Sequence, residues 1–209
     1  MCTAITYRNG DFYFGRTLDY EKSYGESIAI MPRRFGFGKT GGEHYAVMGT
    51  AHIANNYPLY YDAVNEKGLA AAGLRFAGNA FYGEAVEGAE NIAQYELIPV
   101  ILSECATIRE AKERIGNINI TSKAFSEKLP PSPLHWIFAD KDGCITVEQT
   151  MDGMKVYENP VGVLTNNPPF PMQLDNLSDY INISAKPPQN RFSDKIELTP
   201  QSRGTGALG

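Results

Sequence analysis

Alternating apolar and polar side chains predict short strands through most of the chain. Residues 2–8 (CTAITYR) and 12–18 (FYFGRTL) flank Asn9-Gly10, a pair that favours the tight turn of a β-hairpin. The same pattern predicts strands at 26–31, 45–53, 58–64, 69–76, 134–140, 144–150, 154–158 and 161–165. In the later group, Asp142-Gly143 and Asp152-Gly153 provide hairpin turns.

Helical periodicity replaces the strand pattern between these two groups. Residues 90–104 space their apolar side chains as a helix does, and Pro99 is expected to kink it. Thr107-Ile-Arg-Glu110 is a capping box that begins a second helix, and Gly116 ends it. A short helix is predicted near 171–182. The order strands, helices, strands favours a layered α+β fold with antiparallel sheets over a doubly wound parallel fold.

Composition narrows the class of protein. The 209 residues, 43% of them hydrophobic, suffice for one substantial core, so we expect a single domain over 1–209. The net charge of −5 and the scattered basic residues argue against nucleic-acid binding. No apolar segment reaches the length of a membrane span. Three widely spaced cysteines and an N-terminus without a signal-peptide pattern favour a reducing, cytoplasmic location.

Several motifs that would indicate other chemistry are absent or out of context. The terminal Gly204–Gly209 matches GxGxxG, but no strand precedes it and no helix follows, so we interpret it as a loop. His44, His52 and His135 lack metal-ligand spacing and are expected to be packed or surface histidines. No GxSxG or Walker A motif occurs. We therefore expect neither a metal nor a cofactor.

Two glycine-punctuated stretches, 36–42 and 77–89, are long enough to be functional loops. Long loops on a rigid scaffold often contact substrate, and plain connections are the alternative.

Cys2 is the sharpest candidate for chemistry. If Met1 is removed, this residue carries both a thiol and a free α-amine. The amine has an ordinary pKa of about 7.7–8.0, close to the pH at which it must accept a proton. One residue can then act as nucleophile and general base without a histidine. The alternative is that Cys2 is a small buried hydrophobic residue.

The predicted hairpin brings Arg16 and Asp19 towards the N-terminus. A three-residue turn would pair Cys2 with Arg16, a two-residue turn would pair Thr3 with Arg16, and the sequence leaves both open. In either register a cation lies near the thiol, where it favours the thiolate, and a carboxylate can hold the amine. An ordinary structural ion pair is the alternative.

Together with segments along the whole chain, these residues resemble the choloylglycine hydrolase family of N-terminal-nucleophile hydrolases. That family includes conjugated bile acid hydrolases and penicillin V acylases. The resemblance is carried by MCTAITY, YFGRTLDYEKSYGE, NEKGLAAAGLRF, VEGAENIAQYE and LHWIFADKDGCITVEQTMDGMKVYENPVGVLTNNPPF. It implies an αββα sandwich of two antiparallel sheets between helical layers.

The resemblance also implies roles for individual residues. Cys2 would be the nucleophile, exposed by removal of Met1, and Arg16 and Asp19 would position its amine and thiol. Asn166, in LTNNP, would donate its side-chain amide to the oxyanion of the transition state.

At the position of Arg75, bile salt hydrolases usually carry Asn and penicillin acylases Tyr. The resemblance implies that the backbone N–H of Arg75 joins the oxyanion hole. Its side chain would meet the carboxylate of glycine or the sulfonate of taurine in the leaving group. Cys2, Arg16, Arg75 and Asn79 are the residues expected to contact substrate.

The implied reaction is hydrolysis of glycine- or taurine-conjugated bile acids, with a small-molecule partner, no membrane partner and a possible homo-oligomer. The alternatives are penicillin V or another N-acyl amide as substrate, and a catalytically inactive homologue. Glutamine amidotransferases also place Cys after Met1, but Gly typically follows, where this chain has Thr3. The family's chains continue further and carry another active-site arginine, so the chain is expected to be C-terminally incomplete.

Overall fold

Strands dominate the computed structural model, which describes residues 1–36, 43–181, 183 and 193–197. Its strands are β1 (Thr3–Asn9), β2 (Asp11–Thr17), β3 (Ser27–Met31), β4 (Val47–Ala54), β5 (Tyr57–Asn65), β6 (Ala70–Arg75), β7 (Glu90–Ala93), β8 (Ile118–Thr121), β9 (Leu134–Asp140), β10 (Gly143–Thr150), β11 (Gly153–Glu158) and β12 (Val163–Leu164). Its helices are α1 (Leu97–Glu104), α2 (Ile108–Ile115) and α3 (Phe170–Asn176), with short 3-10 segments at Gln94–Glu96 and Leu177–Tyr180.

The strands form two antiparallel sheets and one parallel pair in the described part of the chain. The larger sheet has the order β11-β10-β9-β6-β5-β4-β3, and the smaller has the order β12-β1-β2. β7 and β8 pair in parallel, and α1 and α2 lie in the connection between them. This connection has the length that parallel pairing requires.

The centre of the larger sheet is buried on both faces. Trp136 and Phe138 of β9 pack into the core that α1 and α2 share with this sheet. His135 and Ile137 alternate with these two residues along β9, so their side chains lie on the opposite face of the sheet. They are also fully buried. β6 is equally buried from Ala70 to Leu74. In β6, a continuous apolar stretch of strand length therefore indicates a strand that is covered on both faces.

The two sheets are joined through a buried arginine on β2. Arg16 Nη1 pairs with Asp62 Oδ2 of β5 at 3.4 Å, and its Nη2 donates to the carbonyl oxygen of Gly73 on β6 at 3.2 Å. The smaller sheet thus lies against the face of the larger sheet that points away from α1 and α2.

The predicted hairpin forms, but its register differs from both alternatives. Ala4 lies opposite Arg16 and Asn9 lies opposite Asp11, so Gly10 alone makes the turn with φ 74°. The pairings of Cys2 or Thr3 with Arg16 were both wrong, because strand pairing continues into Asn9 and shortens the turn. Since side chains alternate along a strand, Cys2, Ala4 and Arg16 share one face.

The helix predicted over 90–104 is correct only in its second half. Residues 90–93 are strand β7, whose partner β8 lies 28 residues further along the chain and was not predicted. Helical spacing within one segment cannot report such a distant partner. Pro99 lies in the first turn of α1, where a helical N–H has no partner within the helix, so the proline removes no hydrogen bond of this helix.

The second helix follows its predicted signals. Thr107 is the N-cap of α2 and its hydroxyl accepts from the Glu110 N–H at 3.3 Å, while Gly116 is the C-cap. The other strands lie within a few residues of their predicted bounds. The helix expected near 171–182 appears as α3 followed by a 3-10 segment.

The chain forms two compact units, Met1–Asn167 and Pro168–Gly209. The first contains the sheets together with α1 and α2, and the second begins with α3. The expectation of one domain over 1–209 stays a prediction. The glycines at 38, 41 and 42 and the GxGxxG segment lie outside the described residues.

We expect Gly49→Ala to destabilise the protein by about 3 kcal/mol, the upper part of the range for overpacked cores. A Cβ at Gly49 would lie 2.6 Å from Ala63 Cβ and against the Asp62 carbonyl oxygen, and the β5 backbone cannot give way cheaply. Urea unfolding measures the loss. Gly116→Ala is the matched control, because its Cβ would meet nothing closer than 3.5 Å. Equal stability of the two variants would contradict the packing described for β4 and β5.

Candidate active site

Asp19 holds the N-terminus at the start of β1, the middle strand of the smaller sheet. The amine of Met1 donates to Asp19 Oδ2 and to the Asp19 carbonyl oxygen, each at 3.1 Å. Met1 is 90% exposed, whereas Cys2 is 2% exposed. Asp19 therefore holds the amine of Met1 in this chain, and the Cys2 nitrogen is an amide while Met1 is attached.

Asn166 connects Cys2 to the end of strand β6. The Cys2 N–H donates to Asn166 Oδ1 at 2.7 Å, and Asn166 Nδ2 donates to the carbonyl oxygen of Arg75 at 2.8 Å. A backbone N–H can only donate and a carbonyl can only accept, so these two partners fix which end of the carboxamide is oxygen. The Nδ2 group is therefore on the Arg75 side.

The neighbouring Asn167 makes a parallel contact. Its Nδ2 donates to the Ala77 carbonyl oxygen at 2.8 Å. Two consecutive asparagines thus tie the segment after β12 to the segment after β6. Asn167 was not predicted as a site residue, although the LTNNP motif contains it.

Arg16 lies on the same face as Cys2, but its guanidinium is held by Asp62 and Gly73. Its side chain is only 5% exposed. Asp62 was not predicted, because nothing near it in sequence signals an arginine 46 positions earlier. The structure thus places Arg16 between the sheets and Asp19 at the amine, rather than both as one ion pair.

A cavity of about 460 Å³ opens in front of Cys2. Cys2, Asp19, Tyr20, Arg75 and Asn166 are among the residues that line it. The five catalytic residues predicted from the sequence are therefore divided: four line the cavity, and Arg16 is buried beside it.

A second cavity, of about 410 Å³, adjoins the first and is lined mainly by aromatic and apolar side chains. The two cavities share Tyr20, Tyr24 and Arg75. The lining of the second includes Tyr60, Tyr61, Tyr95, Phe125, Trp136 and the prolines at 130, 131 and 133. An extended ligand with one large apolar part can occupy such a pair of cavities.

Tyr20 lines both cavities and was not predicted from the sequence. Burial raises the pKa of its hydroxyl, the nearby Cys2 thiol raises it further, and Arg16 opposes the rise. The phenol therefore stays protonated at neutral pH and can donate a hydrogen bond beside Cys2. The only signal in the sequence is its position directly after Asp19, in a loop that no periodicity describes.

Asn79 is not among the residues that line either cavity in the described part of the chain. Its N–H donates to the Phe76 carbonyl oxygen at 3.3 Å, in the turn that follows β6. Its proposed contact with substrate stays a prediction. The same is true of the Arg75 backbone N–H as an oxyanion donor.

Every helix in the described ranges falls short of the length and apolarity needed to cross a bilayer.

A cysteine that becomes N-terminal when Met1 is removed, in a fold of packed antiparallel sheets and facing a side-chain amide, is the arrangement of N-terminal-nucleophile hydrolases. Comparison with known proteins gives the same class. A model of the "linear amide C-N hydrolases, choloylglycine hydrolase family" matches residues 2–209. The chain belongs to this family, and the predicted α+β class with its αββα sandwich is confirmed.

Two proteins illustrate the similarity within the family. The chain is 50% identical over 213 residues to the bile salt hydrolase/transferase of Lactiplantibacillus plantarum, covering 100% of this chain and 66% of that protein. It superimposes on a crystal structure of conjugated bile acid hydrolase from Clostridium perfringens with a TM-score of 0.89 and 35% identity. That match covers 100% of this chain and 66% of the other.

A more distant structure shares the fold alone. Penicillin V acylase from Agrobacterium tumefaciens has a TM-score of 0.72 and 22% identity, over 93% of this chain and 62% of that chain. The chain spans slightly less than two thirds of the first relatives that it matches.

We expect alkylation by iodoacetamide at pH 8 to distinguish Cys2 from the other two cysteines. Burial raises the thiol pKa values of Cys105 and Cys144 to about 12, so at pH 8 only about one thiol in ten thousand is ionised at each. Cys2 lines a cavity, and removal of Met1 opens it further. Peptide mass spectrometry of the Met1-free protein should find label at Cys2 first.

The protein that retains Met1 is the control, because its Cys2 is only 2% exposed. Unfolding in urea at pH 8 should bring labelling of Cys105 and Cys144, because it removes the burial that raises the pKa values of their thiols. Equal labelling of all three cysteines at pH 8 in the folded protein would contradict this picture of the site.

Proposed function

We propose that the chain, once Met1 is removed, hydrolyses the amide bond of glycine- or taurine-conjugated bile acids. The observation that carries the proposal is the Asn166 carboxamide, which accepts from Cys2 and donates towards β6. The relative at 50% identity is named bile salt hydrolase/transferase, which supports this substrate class. A conjugated bile acid is the small-molecule partner, and a cytoplasmic homo-oligomer is part of the same proposal.

Removal of Met1 converts the Cys2 amide into an α-amine at the same position. Asn166 Oδ1 can still accept a hydrogen bond from it, and Asp19 loses the Met1 amine as partner. The free amine takes the thiol proton, and the thiolate Sγ forms a bond to the acyl carbon. Arg16 lies on the same face as Cys2, where its buried guanidinium is held by Asp62 and the Gly73 carbonyl oxygen.

Collapse of the tetrahedral intermediate breaks the C–N bond. The ammonium of Cys2 returns its proton to the leaving nitrogen, so glycine or taurine departs as an amine and a thioester remains. Water then attacks the thioester while the amine takes its proton. The products are the free bile acid and the original thiol, and no external acid, base or oxidant is consumed.

The negative charge on the carbonyl oxygen needs donors that are already in place. We assign these to Asn166 Nδ2 and the backbone N–H of Arg75. Preorganised donors act on charge that develops in the transition state, and loss of one typically costs about 10²–10³ in rate. The protonated Tyr20 hydroxyl borders the same cavity and is available to substrate.

The two cavities divide the substrate between them. The aromatic cavity suits a rigid apolar acyl group, because such cavities bury most of a ligand's surface against apolar side chains. Arg75 lines both cavities and is exposed, so its guanidinium can pair with the carboxylate or sulfonate of the leaving amino acid.

Release of amine from glycocholate, taurocholate and penicillin V tests the proposal. We expect Met1-free wild type to release amine from both bile salts and Cys2→Ser to fall to background. Asn166→Leu should lower kcat by about 10²–10³, because one oxyanion donor is lost.

Other outcomes identify the alternatives. Release of amine from penicillin V alone would identify the protein as a penicillin V acylase. No release by protein whose Met1 is shown to be absent would support a catalytically inactive homologue.

Arg75→Ala should reduce turnover of glycine and taurine conjugates more than turnover of an uncharged bile acid amide. The charged leaving groups lose an ion pair, whereas the uncharged amide loses only packing. Arg75→Lys is the matched control, since it keeps the charge and loses the planar fork. Comparison of kcat/KM for the three substrates measures the effect. Equal losses of kcat/KM for charged and uncharged substrates would show that Arg75 does not recognise the charge of the leaving group.

A further inference from the structure

A buried histidine contacts the two segments that carry the predicted oxyanion donors. His135 of β9 is fully buried, and its Nδ1 lies 3.0 Å from Glu148 Oε1 of β10, which is equally buried. Its Nε2 lies 2.7 Å from the carbonyl oxygen of Thr165. The ring also stacks on Phe76, with centroids 4.3 Å apart and planes 7° apart.

The partners determine where the ring carries protons. The Thr165 carbonyl can only accept, so Nε2 carries a proton. A hydrogen bond between Nδ1 and Glu148 requires one further proton, on either the ring or the carboxyl group. In both arrangements the His135–Glu148 pair is neutral as a whole, which suits a site that water does not reach.

His135 contacts the two segments that form the oxyanion site. Thr165 immediately precedes Asn166, and Phe76 immediately follows Arg75. The two segments are also joined directly to each other, because Asn166 Nδ2 donates to the Arg75 carbonyl oxygen. Glu148 belongs to the interior of the larger sheet and fixes the orientation of the ring. The imidazole thus joins a rigid strand to the backbone on both sides of the site.

We propose that His135, oriented by Glu148, is a positioning residue for the oxyanion site. The proposal rests on the proposed amide hydrolysis and assigns His135 no contact with substrate. Its hydrogen bond to Thr165 holds the backbone that carries Asn166, and its stacking on Phe76 holds the backbone after Arg75. A displacement of about 1 Å in such donors can cost about 100-fold in rate.

Two substitutions at Glu148 separate this role from a general effect on folding. Glu148→Gln keeps a group that can donate to Nδ1, so the ring stays oriented with its proton on Nε2. Glu148→Leu has similar size and removes the hydrogen bond. We expect Glu148→Leu to lower kcat by about 10–100-fold with KM within about twofold, because donor placement acts on the transition state. Glu148→Gln should stay within about threefold of wild type.

A second readout does not depend on turnover. The side-chain NH₂ resonances of Asn166 can be assigned in the ¹H–¹⁵N spectrum by their disappearance in Asn166→Asp. We expect these resonances to shift or broaden in Glu148→Leu and to stay in place in Glu148→Gln. Thermal melting shows whether each variant is folded.

The outcomes of the two readouts are distinct. If wild type hydrolyses no amide, the proposed function fails, and the Asn166 resonances still decide whether His135 positions the site. Unchanged Asn166 resonances in folded Glu148→Leu would overturn the positioning role. So would equal losses of kcat in Glu148→Leu and Glu148→Gln, since that result would assign the effect to the carboxylate's charge.

Discussion

The Asn166 carboxamide is the contact on which the site depends. It accepts from the Cys2 nitrogen and donates to the Arg75 carbonyl oxygen, joining residues that are 164 and 91 positions away in the chain. A carboxamide offers a donor and an acceptor in one rigid plane, so both contacts are made without a charge. The position of Cys2 therefore depends on the position of Asn166, in the segment that follows β12.

Burial of charge sets the second constraint. Arg16 is almost completely buried between the sheets, where an unpaired cation would be very unfavourable. Asp62 and the Gly73 carbonyl compensate it, and both belong to the middle of the larger sheet. The smaller sheet is therefore fixed against β5 and β6 by an electrostatic contact. The same contact fixes the Arg16 guanidinium on the face that Cys2 shares.

Sequence patterns predicted most of the elements, but not the long-range contacts that connect them. Local signals were reliable. Hairpin turns form at Asp142-Gly143 and Asp152-Gly153, and Thr107 caps α2 as its capping box predicts. The register of β1 and β2 was wrong because one residue in a turn decides it. Strand β7 was mistaken for helix because its partner is distant in the chain. Asp62 and Tyr20 gave no local signal. His135 and Glu148 lie on neighbouring strands of one hairpin, but the contact of His135 with the distant Thr165 could not be predicted from that hairpin.

Cys2 is the proposed nucleophile, and trapping the acyl-enzyme tests this role most directly. Met1-free protein would be mixed with taurocholate, quenched in acid within the first turnovers and digested for mass spectrometry. The account predicts that the N-terminal peptide gains the mass of the bile acyl group as a thioester on Cys2, while Cys105 and Cys144 stay unmodified. Taurine release that continues undiminished in Cys2→Ala, with no thioester at Cys2, would contradict it.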